Sequence, residues 1–375
     1  GQRHRQSAQP DEQHRRAHQP VRCGRCAVAA GAGLYTLGKY SEVEFNGVTN
    51  FTGNSVISFG EQSTGNGAGV YLADGKLTFN NTVSFYGNTI DANQGYSYGE
   101  GGAMQALGAD AVATFNSDAT FEGNKISAST YAVGGAIANY ASVNFNPDSD
   151  GTSTITFKNN EVKNLIAENQ YTSEELKQHN VHFIQARGGA LYNAEGNTTF
   201  AKGTSVVFEG NKALSQSAKG YGGAVYNEVF ANDTGRVNFN GDVYFRNNEA
   251  TTGGGAIFNK GVMLLDGTTE FDGNKAQFGG AIYNDAGAQM TIAGSKVVFK
   301  NNTADLGSNI YNLGTVNIQN VKDTMGINYA PYTETPYPTD GHTLFDQSGD
   351  VYNAGTMNII DSSLQLTGIN TKQAT

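Results

Sequence analysis

The chain has no Trp, two Cys and six Pro, and only 15% of its 375 residues are charged, against roughly 25% in ordinary soluble domains. Each shortage excludes something. Both Cys fall before residue 30, so no disulfide framework holds the remainder. No run of 18 apolar residues occurs, which excludes a membrane-spanning helix. The net charge is −10, and a nucleic-acid partner would call for clustered Lys and Arg instead. Scarce Pro, with Gly in no three-residue period, excludes collagen. What is abundant is Gly (49), Asn (40), Phe (20) and Tyr (19). Hydrophobic residues make up 38%, enough for a core, in a composition that points to one repetitive object.

Residues 1–30 differ from the rest. They hold six Arg, three His and both Cys, and lack Phe, Tyr, Ile, Leu, Asn and Lys. Six Arg against Asp11 and Glu12 give +4, which leaves −14 on residues 31–375. Cys23-Gly24-Arg25-Cys26 has the spacing of half a zinc site, but His4, His14 and His18 stand at no spacing that completes one. No apolar stretch long enough for an export signal follows. The expectation is a non-repeat basic tail over 1–30, disordered or artefactual. A start at Gly1 rather than Met is expected of a fragment.

From Gly31 two elements alternate. Gly-Gly-Ala-apolar stands at Gly101, Gly134, Gly188, Gly222, Gly254 and Gly279, at intervals of 33, 54, 34, 32 and 25 residues. An Asn usually follows two residues later: Asn139, Asn193, Asn227, Asn259, Asn284 and Asn312. Phe-x-x-Asn begins at Phe51, Phe85, Phe121, Phe157, Phe208, Phe245, Phe271 and Phe299. Another Phe often lies six residues earlier: Phe45, Phe79, Phe115 and Phe239, with Leu265 there once. Val237 and Phe239, then Val243 and Phe245, alternate with period two, the pattern of strands.

One such unit cannot bury its apolar row alone, whereas stacked units bury a continuous column. The expected fold is all-β: a single-stranded, right-handed parallel β-helix over 31–375, with three short strands per unit and about ten coils, on the order of 50 Å long at strand spacing. Paired Gly would supply tight corners, Phe would stack on Phe, and Asn would take left-handed corners and bond its equivalents above and below. A buried Phe is expected to outweigh a corner Asn in stability. Two excursions interrupt the repeat, near 163–187 and 321–349. The first contains Thr172-Ser173-Glu174-Glu175, a capping box that predicts a short helix.

The alternation of these two tetrapeptides over nearly all of 31–319 resembles the polymorphic outer membrane protein repeats of chlamydial autotransporters. The resemblance implies an exported passenger domain at the bacterial surface, carried by a carboxy-terminal outer-membrane barrel and acting in adhesion to a host or neighbouring cell. It departs from the family in having no Cys in its repeats. The sequence reaches Thr375 still in repeat-like form, so the barrel is expected either to lie on a part not included in it or to be absent.

Chemistry has little to stand on. A glycosidase needs two carboxylates across a cleft, and the acid pairs and Gly-His-Gly of pectinase-type helices do not occur. Asp148 and Asp150 lie in a turn sequence. His179, His182 and His342 fall in the excursions, in no arrangement of a catalytic triad. The reading is non-catalytic, without cofactor or metal. A structural adhesin or cell-surface interaction module leads; the alternatives are a β-helical polysaccharide lyase or glycoside hydrolase, and a self-associating aggregation factor. Tyr329, Tyr332 and Tyr337, among Pro331, Pro336 and Pro338, are the candidate ligand contacts, because Pro-held Tyr rings offer flat surfaces to sugars.

Overall fold

The computed structural model describes residues 26–60, 62–167, 172–178, 184–230, 233–294, 296–321, 323–325 and 351–362. The chain winds as a parallel β-helix, each strand bonding to its equivalent one coil on. Five sheets run along the axis. Sheet I starts at Cys26–Ala30, sheet II at Leu34–Leu37, sheet III at Glu42–Phe45, sheet IV at Thr49–Thr52 and sheet V at Ser55–Ile57. Sheet II has ten strands on its main path, from Leu34–Leu37 to Val351–Asn353, and these count the coils.

The unit therefore has five strands where the sequence predicts three. Residues between Phe-x-x-Asn and the next Gly-Gly pair carry weak patterning, yet they extend and bond to the coils on either side. Sheets I and V have six strands each and stop at Gly220–Tyr221 and Glu249–Ala250. Beyond them, single bridges such as Glu249 to Lys275 and Gly253 to Phe278 continue their lines. This matches the shorter 25-residue spacing of the last two Gly-Gly-Ala elements. The compositional and structural boundaries also differ, since Cys26–Ala30 pairs in parallel with Gln62–Asn66 and belongs to the first coil. The rest of the basic tail, residues 1–25, lies outside the described residues.

Phe packing fills the interior. Phe51, Phe85, Phe121, Phe157, Phe208, Phe245, Phe271 and Phe299 form one column on sheet IV, in strict register. Phe45, Phe79, Phe115, Phe145, Phe200 and Phe239 form a second on sheet III, continued by Leu265, Ile292 and Ile318. Successive rings within each column stack at 4.6–5.2 Å, the spacing of adjacent strands. Rings of the two columns meet nearly edge to face, for example Phe145 and Phe157 at 6.1 Å and 80°. Both geometries suit the aromatic quadrupole.

Asn forms two further interior columns. On the first, the side-chain amide of each Phe-x-x-Asn residue donates to the Oδ1 of the next at 2.8–3.0 Å, from Asn54 through Asn302. The same Oδ1 accepts the backbone N–H of the preceding Asn, at 3.0–3.1 Å. From Asn88 on, each amide also donates to a Phe carbonyl one coil back, at 2.9–3.0 Å. The second column runs from Asn139 through Asn193, Asn227, Asn259, Asn284 and Asn312 to Asn353.

The left-handed corner belongs to a different residue, the one just before the ladder Asn. It is Gly at Gly53, Gly87, Gly123, Gly210 and Gly273, and Asn at Asn159, Asn247 and Asn301, all with φ between 52° and 68°. In the Gly-Gly pair the two residues have separate tasks. Gly134 turns the corner at φ 65°, while a Cβ on Gly135 would lie 2.1 Å from the carbonyl oxygen of Gly189 in the next coil. The first excursion is shorter than expected, because Glu161–Asn164 and Gln185–Arg187 are strands. It contains the helix Ser173–Gln178, capped reciprocally by Thr172 and Glu175.

Two expectations follow. Asn248 and Phe245 are both fully buried, and removing the Asn248 amide strands donors on Asn211 and the carbonyl of Phe208. Phe245→Ala should cost about 3–5 kcal/mol. Asn248→Ala should cost about 3 kcal/mol, at roughly 1–3 kcal/mol per orphaned group, so the sequence-based ranking of Phe far above Asn is replaced by near parity. Urea midpoints for the two variants check this; an Asn248→Ala loss under about 1 kcal/mol, the size of one ordinary hydrogen bond, contradicts it. At Gly123, where φ is +66° and a Cβ would have open space for 4 Å around it, Ala should cost about 1–2 kcal/mol. Asn there should be nearly neutral, and comparing the two melting temperatures tests the assignment.

Candidate functional site

The Gly-Gly corner joins sheet I to sheet II so sharply that their outer faces form a concave elbow along the axis. The residue before the corner and the residue five positions on face each other across it. Glu100 and Gln105 show this directly: the Gln105 Nε2 donates to the Glu100 carboxylate at 2.6 Å. Tyr221 and Tyr226 repeat it, with ring centroids 6.5 Å apart.

On sheet II the elbow carries one register column: Tyr35, Tyr71, Gln105, Ala138, Tyr192, Tyr226, Phe258, Tyr283, Tyr311 and Tyr352. From Tyr192 onward the rings stack at 4.5–5.6 Å. Stacked rings cover one another's faces, so the column turns edges and hydroxyls, not faces, toward a ligand.

The elbow is most polar where it is most buried. Arg187 ends a sheet I strand, and its guanidinium lies over the rings of Tyr131 at 5.3 Å and Tyr226 at 5.0 Å. It donates to the Glu228 carboxylate at 2.6 Å and to the Tyr131 hydroxyl at 3.2 Å. Tyr192 also donates to Glu228, at 2.7 Å. The side chains of Arg187 and Glu228 are only 5% and 7% exposed, so the pair persists because every charge is hydrogen-bonded. Burial works to lower the Arg187 pKa, but the surrounding phenols and Glu228 outweigh it and hold the cation above its ordinary value. Burial, with the Glu228 carboxylate next, pushes the Tyr192 hydroxyl well up. The Arg187 cation and the hydroxyls of Tyr131 and Tyr192 thus bind Glu228 and one another into a structural clamp between coils.

The residues singled out from sequence fare differently. Tyr329, Tyr332 and Tyr337 lie outside the described residues, as do His179, His182 and His342. Asp148 and Asp150 form the turn expected of them: the Asp150 N–H donates to Asp148 Oδ1 at 2.8 Å and the Gly151 N–H to the Asp148 carbonyl at 3.0 Å. At the feet of the first excursion, Ile166 and Ile184 pack with Tyr96 in a small buried cluster of their own. Among the described residues no group of three His, Cys, Asp or Glu side chains could hold a metal ion. The elbow was missed from sequence, although the recurrence of Tyr one residue after Gly-Gly-Ala-apolar was its available sign.

Comparison with known proteins agrees with the coil boundaries. Residues 205–228, 242–260 and 268–285 match the model of the Chlamydia polymorphic membrane protein repeat. Each match spans a Phe-x-x-Asn strand and the Gly-Gly-Ala strand after it. Over 143 residues, 34% of this chain, the sequence is 33% identical to the probable outer membrane protein pmp6 of Chlamydia pneumoniae, and it spans 11% of that relative's length. No solved structure matches it. In these three segments the β-helix is thus similar to Pmp-type repeats, with the paired elements of the repeat supplying members of the Phe and Asn columns of the interior.

Proposed function

We propose that the chain is part of the passenger of an autotransporter-type protein, displayed at the bacterial surface and acting as a structural adhesin or cell-surface interaction module. The observation that carries this reading is the use made of the interior. Eight Phe in one column and an unbroken Asn ladder fill the axis, so the recurring chemistry of each coil goes into stiffness. A rod of this kind projects whatever its outer surface carries. The outer-membrane character of the Pmp relative supports the location, and a carboxy-terminal barrel is the expected anchor of the whole protein.

Binding is assigned to the outer surface, either to the excursions or to the elbow. The Pro-flanked Tyr329, Tyr332 and Tyr337 remain the candidate glycan contacts of the second excursion. Catalysis has no comparable support, since the one buried carboxylate–guanidinium pair described above is fully engaged in holding coils together.

Adhesion is tested by coating beads with the purified chain and counting those retained by cultured epithelial cells. Retention well above that of beads carrying an unrelated β-helix is expected. Replacing residues 168–183 and 326–350 with short Gly/Ser links should lower it at least threefold. Retention no better than the control would defeat the adhesin reading, and undiminished retention after both replacements would move binding to the coil faces.

A further inference from the structure

The elbow contains two versions of one arrangement. In the fourth to sixth coils a guanidinium, Arg187, sits between the rings of Tyr131 and Tyr226 and against the carboxylate of Glu228. In the second to fourth coils the same elbow presents the complementary half. Glu100 supplies the carboxylate, and Tyr71, Tyr98 and Tyr140 supply rings. Tyr98 and Glu100 are two apart on one strand and face the same side. The Tyr140 hydroxyl bonds Glu100, and burial followed by that carboxylate raises its pKa. Burial, then Tyr35 and Glu100, pushes Tyr71 up to about 12.

Two of the buried acceptors that lack donors lie along this stretch. Asn66 is in register with Glu100, and Gln105 with Tyr71. Asn66 Oδ1 and Gln105 Oε1 are buried and receive no hydrogen bond, on residues only 7% and 2% exposed. A buried acceptor left unmade costs stability, and native proteins rarely keep two in one place unless something fills them. The Gln105 Nε2 is already spent on Glu100, so its Oε1 is left to receive.

We propose that the elbow between Asn66 and Gln105 is a binding site for a guanidinium group brought by a ligand. The donors that the two carbonyl oxygens require, beside a carboxylate that supplies negative charge, come in a planar fork from guanidinium alone among common biological cations. The flanking rings favour a cation over a neutral hydroxyl. The excess of 14 negative charges on residues 31–375 draws cations toward the surface. Arg187 shows, two coils along, that this elbow accommodates the group. The half-buried rings of Tyr71 and Tyr98 form the side open to solvent. The guanidinium can arrive on a free small molecule or on an arginine side chain of a partner protein.

Isothermal titration of the full chain with agmatine and with acetyl-Gly-Arg-Gly-amide tests this, with the citrulline form of the tripeptide as the neutral control. Saturable one-to-one binding of at least one guanidinium probe is expected, with the citrulline peptide at least tenfold weaker. Agmatine binding alone points to a free small molecule, and peptide binding to a partner's arginine. Glu100→Gln and Gln105→Leu should each weaken binding at least tenfold. Gln105→Leu removes an orphaned acceptor but also the Nε2 donor to Glu100, so Asn66→Leu, which removes the other orphaned acceptor, should likewise weaken binding at least tenfold and decides the matter if the other two variants fail to fold. Absence of binding by both guanidinium probes, equal binding of the citrulline peptide, or unchanged affinity in a folded Gln105→Leu or Asn66→Leu chain overturns the proposal. None of these outcomes bears on the bead-retention test, so this site and the adhesin reading fail separately.

Discussion

Everything in this molecule depends on parallel register held from coil to coil. When a strand bonds to its equivalent in the next turn, each side chain lies directly over its own counterpart, at strand spacing. A column then tolerates only residues that pack well against copies of themselves. Phe does, through offset stacking, and so does Asn, whose amide is both donor and acceptor and can bond an identical amide at each side. A charged column would repel itself, and accordingly ion pairs such as Arg246 with Glu270 and Lys300 with Glu270 lie outside, alternating in sign from coil to coil.

The same constraint explains how far the sequence could be read. Self-stacking residues must recur, so Phe-x-x-Asn and Gly-Gly-Ala were visible as a repeat, and from them the parallel β-helix and its coil number. Phe145 and Phe200 escaped because longer corners, Asn146-Pro147 through Thr152 and Ala201 through Gly203, separate them from Phe157 and Phe208. Pairing restores both to the column. The strands of sheets I and V escaped for a different reason. Their residues, such as Ser127, Lys163 and Tyr98, obey no shared identity, and backbone bonding alone aligns them.

The elbow was the least legible part. Its chemistry arises between residues of different coils, as with Arg187 and Glu228, separated by 41 positions. Sequence spacing carries no trace of such a pair, because either partner alone reads as a surface charge. Only the sharp corner, made possible by the positive φ of Gly188 and Gly222, brings the outer faces of two sheets near enough to bury it. The Asn assignment was right in substance but divided wrongly: one Asn of Asn247-Asn248 takes the left-handed bend and the other enters the ladder. A single-letter pattern cannot distinguish them.

The corner between sheets III and IV has a wider meaning. Phe79 precedes its partner Phe85 by six positions, Phe200 precedes Phe208 by eight, and Phe145 precedes Phe157 by twelve. The interior is the same in all three coils. Length change at this corner is invisible to the core, whereas one residue added inside a strand would turn every side chain beyond it to the wrong face. Heritable variation is thereby channelled. An insertion at such a bend would alter the outer surface while the frame that presents it stays constant. Such a protein can diversify its exterior rapidly without having to solve its folding problem again.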